Sequence, residues 1–353
     1  MPKFTVRPNF TGTAGDDTIV GEDLNKFPAI GIDILTGGFI STGLGKDTIT
    51  GTGQGGTGDG GYSEYSDGGD GTGIANSGSG ILNTGDGNDT ITGAGQGGTG
   101  EAFSVTDRNG SYYFNGYGGA GTGISNTGIL NTEDGNDIIT GTGQGGTGDS
   151  GDSEYSDGGD GGAGTGIRNT GLLDTGDGND TITGVGSGGS GDSYSDDGAG
   201  TGISNDGVID TGNGGDILTG QATATIGHAA YGIYGEGTIK TGDGNDFITS
   251  TSTINEVQRK VTIGGGINIY LGTGNDYFKG FGTATVDGEE GFDTLDLSAF
   301  NRSELTFSGV ISGNALNPAN ISFNNSGNVI TLTTTGFENF VFADSSLDYS
   351  TLV

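Results

Sequence analysis

The sequence contains no cysteine among its 353 residues, which excludes disulfide bonds and thiolate metal sites. Basic residues are scarce, since 11 lysines and arginines stand against 45 aspartates and glutamates, giving a formal net charge of −34. Such an acidic surface repels nucleic acid and anionic membranes, and its compact state needs cations to offset self-repulsion. We therefore expect no nucleic-acid partner and regard divalent cations as the first candidate ligands.

Long apolar runs are missing as well. No stretch of about 18 apolar residues occurs, so we expect no membrane insertion. The N-terminus, MPKFTVRPNF, lacks the apolar core of a standard signal peptide, so export would need another route. Apolar residues make up 29% of the chain and glycine supplies 83 residues without a three-residue period, which excludes collagen. A repeat architecture remains, in which each coil buries a thin apolar stripe against its neighbours.

A segment of the type TGDGNDTIT occurs nine times and supplies the repeat. Successive segments are 30 to 48 residues apart in the first seven intervals and 17 apart in the last, which indicates a base period of 30 with insertions. The aspartates that anchor the segments are Asp17, Asp47, Asp89, Asp137, Asp180, Asp216, Asp246, Asp276 and Asp293.

Three isolated apolar positions recur in each coil and predict three short strands, each with one inward side chain. In one coil they are Ile74, Leu82 and Ile91, and in the next Ile124, Leu130 and Ile139. The second and third positions are always nine residues apart, so this constant segment carries the glycine-rich loop, whereas insertions follow the third strand. We also expect stacked side-chain ladders of threonine (Thr84, Thr132, Thr175, Thr211, Thr241) and of asparagine (Asn76, Asn126, Asn169, Asn205).

The predicted fold is therefore all-β: a parallel β-solenoid, β-helix or β-roll-like, with coils of about 30 residues or more and one loop per coil. Residues 1–11 form an N-terminal segment and 12–296 the solenoid. Residues 297–353 alternate apolar and polar side chains, which predicts an antiparallel β-rich cap. The acidic, tyrosine-bearing insertions 53–73 and 143–166 are expected to be solvated protrusions, weak calcium sites or self-association surfaces.

The loop chemistry points to calcium, which takes six to eight hard oxygen ligands from carboxylates and backbone carbonyls. Glycine permits the tight turns that aim carbonyls inward, and Asn88, Asn136, Asn179, Asn245 and Asn275 hold a position that would tolerate left-handed geometry. Two loops stacked about 4.8 Å apart could share one ion. The candidate loop glycines are Gly43, Gly45, Gly85, Gly87, Gly135, Gly176, Gly178, Gly212, Gly214, Gly242, Gly244, Gly272 and Gly274.

These segments resemble the RTX, or hemolysin-type, calcium-binding repeat G-G-x-G-x-D-x-U-x, with matches at Gly85, Gly87, Asp89 and Ile91. The resemblance implies Ca²⁺ held by the aspartate and by carbonyls of successive turns, and type I secretion directed by the C-terminal segment. Family repeats run in tandem, whereas here each larger coil has one loop, so we expect a single row of ions between coils. The first glycine is usually Thr here, and Glu133 and Glu289 replace the second.

The expected function is a secreted calcium-binding structural protein, bacterial and extracellular or on the cell surface, that folds on Ca²⁺ and assembles as a homo-oligomer, into filaments or layers. One alternative is a calcium-dependent adhesin for cell-surface polysaccharide or ice, presenting outward threonines such as Thr90 and Thr92. The other is an RTX enzyme or toxin. We expect no enzyme, because His228 is the only histidine and has no evident catalytic partner.

Overall fold

A computed structural model describes residues 2–6, 9–58, 67–108, 110–149, 158–192, 195–225, 228–309 and 318–352. Within these ranges the regular structure is β-strand throughout, apart from two 3-10 turns at Arg302–Glu304 and Tyr349–Thr351. Three long sheets, named A, B and C in the order in which each coil visits them, run along the molecule. None of the described segments is a helix long and apolar enough to cross a membrane.

Sheet A is parallel throughout. Its strands, in spatial order, are Phe4–Val6, Ala29–Ile34, Gly71–Asn76, Gly121–Asn126, Gly164–Asn169, Gly200–Asn205, Ala230–Tyr234 and Ile263–Gly264. Equivalent residues of successive coils are paired, as in Ile124 with Ile74 and with Ile167.

Sheet B contains the short second strand of each coil. Its order is Phe10–Thr11, Phe39–Ser41, Ile81–Asn83, Ile129–Asn131, Leu172–Asp174, Val208–Asp210, Thr238–Lys240, Asn268–Tyr270, Ala284–Asp287, Asn328–Thr335, Ala319–Asn325 and Leu305–Ser308. The pairing is parallel up to Asn328–Thr335 and antiparallel for the last two strands.

Sheet C contains the third strand of each coil. Its order is Thr18–Lys26, Thr48–Gly55, Thr90–Gln96, Ile138–Gln144, Thr181–Ser187, Ile217–Ala224, Phe247–Ile254, Tyr277–Lys279, Asp293–Leu297, Phe337–Phe342 and Ser346–Asp348. Val257–Gln258 pairs with Phe247–Ile254, and the last strand is antiparallel to its neighbour. Outside the three sheets, Phe103–Asp107 forms a hairpin with Gly110–Phe114, and Thr273–Gly274 pairs with Glu290–Gly291. The stacked parallel coils have the architecture of a β-solenoid, as the repeat predicted.

The core consists of three columns of apolar side chains, one from each sheet. Ile74, Leu82 and Ile91 of one coil are fully buried, and so are their equivalents in the following coils. The two predicted polar ladders are present beside these columns. Asn76 Nδ2 donates to Asn126 Oδ1 at 2.8 Å, and each threonine of the other ladder is buried. Both ladders therefore form hydrogen bonds from coil to coil, although Asn76 Oδ1 and Thr84 Oγ1 are buried without a partner.

Sheets A and C approach each other so closely that their backbones are in contact. Beyond the buried isoleucine, the four consecutive sheet C strands from Thr48–Gly55 to Thr181–Ser187 turn glycines inward. A Cβ added to Gly51 would lie 2.3 Å from the carbonyl oxygen of Gly73, and one added to Gly53 would lie 2.1 Å from that of Thr72. This half of the solenoid is held together by backbone contact rather than by side chains, which explains its glycine content.

The insertions after sheet C begin as ordered backbone. Gly69 donates to the carbonyl of Gly56, and Gly98 in turn to that of Gly69, both at 2.8 Å. The same pattern continues through Gly119, Gly146, Gly162, Gly189 and Gly198. At their bases, the insertions expected to be solvated protrusions are therefore joined by hydrogen bonds from coil to coil. The segments 59–66 and 150–157, which carry most of their acids and tyrosines, lie outside the described residues.

Candidate metal centre

Each predicted metal loop joins a strand of sheet B to a strand of sheet C. In the loop from Thr84 to Asp89 both end residues are buried, and the two glycines adopt positive φ, +84° at Gly85 and +149° at Gly87. Glu133, which occupies the position of Gly85 in the next coil, also has a positive φ, +59°. The backbone conformation of the loop is therefore the same where glutamate replaces the glycine.

In every loop but the first, the glycine two residues before the anchor aspartate, which we call the second loop glycine, is required by the stacking of the coils. A Cβ at Gly87 would lie 1.6 Å from the carbonyl oxygen of Gly45, and one at Gly135 would lie 1.6 Å from that of Gly87. The loops also exchange hydrogen bonds, for example from Gly87 N–H to the carbonyl of Asp134 at 2.8 Å. Any side chain at this position would separate neighbouring coils, with or without a bound ion.

The anchor aspartates form one continuous hydrogen-bonded row, which we call the aspartate row. The backbone N–H of Asp89 donates to Oδ1 of Asp137 at 2.7 Å, and that of Asp137 donates to Oδ1 of Asp180 at 2.8 Å. The same bond, at 2.7 to 2.8 Å, links every consecutive pair from Asp17 to Asp293. The sequence predicts that these aspartates lie along one edge of the solenoid, and in the structure they lie there in contact with one another.

The second carboxylate oxygen is left without a partner in most of the row. Seven Oδ2 atoms are buried with no hydrogen bond, those of Asp47, Asp89, Asp137, Asp180, Asp246, Asp276 and Asp293. Asp216 differs, because Thr211 Oγ1 donates to its Oδ2 at 2.5 Å. The equivalent Thr175 hydroxyl, although close to Asp180, is oriented toward the carbonyl of Thr211 in the next coil, 3.2 Å away. Asp17, at the more open end, accepts a bond from Thr13 N–H at 2.6 Å.

Burial makes the charged form of these groups unfavourable. It raises the pKa of Asp180, Asp246 and Asp276 to about 7, and neighbouring carboxylates add to the rise. Backbone hydrogen bonds oppose the rise at all three, and the nearby hydroxyls of Thr175 and Thr241 oppose it at Asp180 and Asp246. Burial likewise raises the pKa of Asp137, Asp216 and Asp293 to about 6. Without a counter-ion the row therefore competes for protons near neutral pH.

A second ladder runs beside the aspartate row on the exposed side. Asn88 Oδ1 accepts from the backbone N–H of Asn136 at 3.0 Å, and Asn136 Oδ1 accepts from that of Asn179 at 2.7 Å. Here the acceptor belongs to the preceding coil, whereas in the aspartate row it belongs to the following one. None of the loop asparagines has positive φ, so the left-handed geometry that this position would tolerate is not adopted. Their side chains join the coils instead.

The ligands available to a cation are one carboxylate per coil and backbone carbonyls. Within the described ranges, no group of three or more His, Cys, Asp or Glu side chains is arranged to hold a metal. The additional loop acids Asp86, Asp134, Asp177 and Asp243 are exposed. The unpartnered Oδ2 atoms are the feature that fits a cation.

Outside the aspartate row, His228 lies with Nε2 3.8 Å from a carboxylate oxygen of Asp196.

Comparison with known proteins found no protein-family model and no curated protein that matches the chain. The likeness to RTX repeats therefore rests on the loop residues themselves.

Proposed function

We propose that this protein is a secreted calcium-binding structural component of a bacterial cell surface or extracellular matrix, whose solenoid folds as Ca²⁺ binds along the aspartate row. The observation that supports the proposal is the set of seven buried carboxylate oxygens without a hydrogen-bond partner. A buried polar atom in that state costs about 1–3 kcal/mol, and more when it is charged. A cation removes this cost.

Calcium supplies positive charge and accepts several oxygen ligands at once. Asp137 and Asp180, on adjacent coils, each offer one free carboxylate oxygen. The glycine carbonyls, such as that of Gly87, are directed toward the next coil. The ligands of one ion would therefore come from two coils, so that binding holds the coils together.

The net charge makes this binding a condition of folding. With 45 acids and 11 bases, the ion-free chain repels itself, and its glycines add a large entropic cost of ordering. At the low free calcium of a cytoplasm the chain stays unfolded and competent for export. At extracellular calcium of about 10⁻⁴–10⁻³ M it folds. The segment after residue 297 is the proposed secretion signal, as the RTX resemblance implies.

Circular dichroism and calcium counting test the proposal together. The protein is dialysed exhaustively against EGTA, its far-ultraviolet spectrum is recorded, and calcium is then added while bound ions are counted by equilibrium dialysis. The β spectrum should be lost and then restored as several ions bind. Glu236→Gln, which removes one exposed carboxylate outside the aspartate row, should leave the ion count unchanged. A β spectrum that persists in EGTA at pH 8 would falsify the proposal.

A further inference from the structure

The outer face of sheet C carries no charged side chain over six consecutive coils. This surface, the neutral face, consists of the outward residues of strand segments 48–54, 90–96, 138–144, 181–187, 217–223 and 247–253. Alternation along each strand places four residues outward, such as Thr90, Thr92, Ala94 and Gln96. The chain has 56 charged residues, and none of them lies on this face.

Charged residues bound the neutral face at both ends. Glu22 lies on the strand that precedes it, and Lys279 lies on the strand that follows it, paired with Asp296 at 3.0 Å. Three large apolar residues project from the face near the loops: Ile138, Ile217 and Phe247, which are 47%, 45% and 48% exposed. The face thus has an uncharged centre and apolar projections, and its charged neighbours lie at the two ends.

We propose that two copies of this chain pack through their neutral faces, related by a twofold axis parallel to the strands and passing between the coils of Ile138 and Thr181. An outward column is the set of residues at one outward strand position in successive coils. The operation reverses the order of the coils, and it places each column opposite the same column of the partner copy. The inference names a self-association surface for the structural role proposed above and so rests on that role. An interface of this kind uses the same patch on both copies and closes as a dimer.

The side chains of the neutral face are complementary under this reversal. Every large side chain then meets a smaller one. The facing pairs are Phe247 with Thr48, Ile217 with Thr90, Ile138 with Thr181, Gln54 with Thr253, Gln96 with Thr223, Gln144 with Ser187, and Gln221 with Ala94. The column Thr50, Thr92, Thr140, Thr183, Thr219 and Thr249 faces itself. With the coils in the same order, by contrast, Phe247 would meet Phe247 and each glutamine its own copy.

Charge and area also favour a second copy. The reversal brings Glu22 of one copy near Lys279 of the other, at both ends of the interface, and places no charge at its centre. A charge-free centre is typical of protein interfaces. Six coils of about 4.8 Å by seven residues of about 3.3 Å cover about 650 Å² on each copy. The total of about 1,300 Å² lies within the range of stable protein–protein interfaces.

Sedimentation equilibrium of the calcium-saturated protein tests the inference. The wild type should reach twice the chain mass of 34.9 kDa at micromolar concentration. Thr92→Lys alone and Thr219→Glu alone should each weaken dimerisation at least tenfold. The double variant should restore it, because the reversal places position 92 of one copy opposite position 219 of the other. Thr122→Lys, on the outer face of sheet A, should remain dimeric.

Several outcomes would overturn the inference. A wild type that is monomeric at all concentrations while its β spectrum is intact removes the interface. A double variant that stays monomeric excludes the reversed coil order. A monomer retained on neutral insoluble polysaccharide through the same face assigns that face to a glycan. None of these outcomes bears on calcium, because loss of the proposed function would appear in the EGTA spectrum and the ion count.

Discussion

Asp293 donates its backbone N–H to Oε2 of Glu338 at 2.8 Å. Glu338 belongs to the strand Phe337–Phe342, which pairs in parallel with Asp293–Leu297. The aspartate row therefore does not end at the last loop, because a glutamate from the C-terminal strands supplies the acceptor that an anchor aspartate supplies elsewhere. The C-terminal strands are joined to the coils by the same bond that joins one coil to the next.

Replacing Glu338 should loosen this junction. Glu338→Ala leaves the N–H of Asp293 without an acceptor, so we expect a loss of about 1–3 kcal/mol in the free energy of unfolding. Glu338→Gln retains a carbonyl oxygen and should cost less than half as much. Urea unfolding in saturating calcium measures both, with Glu236→Ala as the exposed control. Equal losses for the two Glu338 variants would mean that the bond does not support the junction.

Asp180→Asn separates the hydrogen-bonding role of the row from its charge. Asparagine keeps an oxygen acceptor for the N–H of Asp137 and places a neutral amide where the unpartnered Oδ2 lies. In calcium-free buffer at pH 5, where protons neutralise the row, this variant should be at least as stable as the wild type, whereas in calcium at pH 8 it should bind one or two fewer ions. Asp180→Ala should lose about 1–3 kcal/mol under both conditions, because it removes the acceptor.

Thermal melts and equilibrium dialysis on the same preparations check this pair. An unchanged calcium count in Asp180→Asn would mean that its carboxylate is only a structural acceptor, and the aspartate row would then need no metal.

The stability of the calcium-free protein should fall as the pH rises. Burial raises the pKa of Asp180, Asp246 and Asp276 to about 7, whereas an unfolded aspartate titrates near 3.8. The folded state thus binds more protons over this interval, so its stability is fully present below about pH 4 and is lost progressively as the pH rises to about 7. Calcium requires the deprotonated carboxylates, so its binding should strengthen over the same interval.

Melting temperatures at pH 5 and pH 8, each in EGTA and in calcium, measure this effect. We expect the EGTA sample to melt cooperatively at pH 5 and to show no melting transition at pH 8, and we expect calcium to restore the transition at pH 8. Higher stability in EGTA at pH 8 than at pH 5 would contradict the conclusion that the folded aspartate row binds protons in this pH range.

The sequence predicts those parts of this fold that depend on spacing. The constant nine residues between Leu82 and Ile91 placed both in the core, and the recurring aspartates predicted one row on one edge. The strict recurrence of Asn76 and its equivalents was enough to predict a ladder. Each of these follows from one rule, that equivalent residues of stacked coils lie beside one another.

What the sequence did not predict depends on the direction in which a group points between coils. The tight turn at Gly87 was predicted, but the structure also shows that a Cβ there would collide with the carbonyl of Gly45. Asn88 was assigned to backbone geometry, but its side chain accepts a bond from the next coil. Gly69 lies where one insertion returns to the solenoid, and Gly98 lies where the next insertion leaves it. The hydrogen bond between them joins residues that are not equivalent in the repeat, so the repeat pattern does not predict it.

The stacking role of the second loop glycine leads to the last prediction. A Cβ at Gly178 would lie 1.5 Å from the carbonyl oxygen of Gly135 and 2.5 Å from its carbon, so Gly178→Ala must push two coils apart. We expect a loss above about 4 kcal/mol, or failure to fold. Gly37→Ala is the matched control, because Gly37 also has positive φ, +74°, but nothing within 4 Å of an added Cβ. It should cost only the left-handed conformation, about 1–2 kcal/mol.

Urea unfolding of both glycine variants at pH 5, where protons rather than calcium neutralise the row, isolates stacking from metal binding. If Gly178→Ala proves no worse than Gly37→Ala there, and is destabilised only when calcium is required at pH 8, then the glycine serves the ion. A large loss at both pH values shows instead that glycine is needed at this position because the backbones of neighbouring loops occupy the space of any side chain.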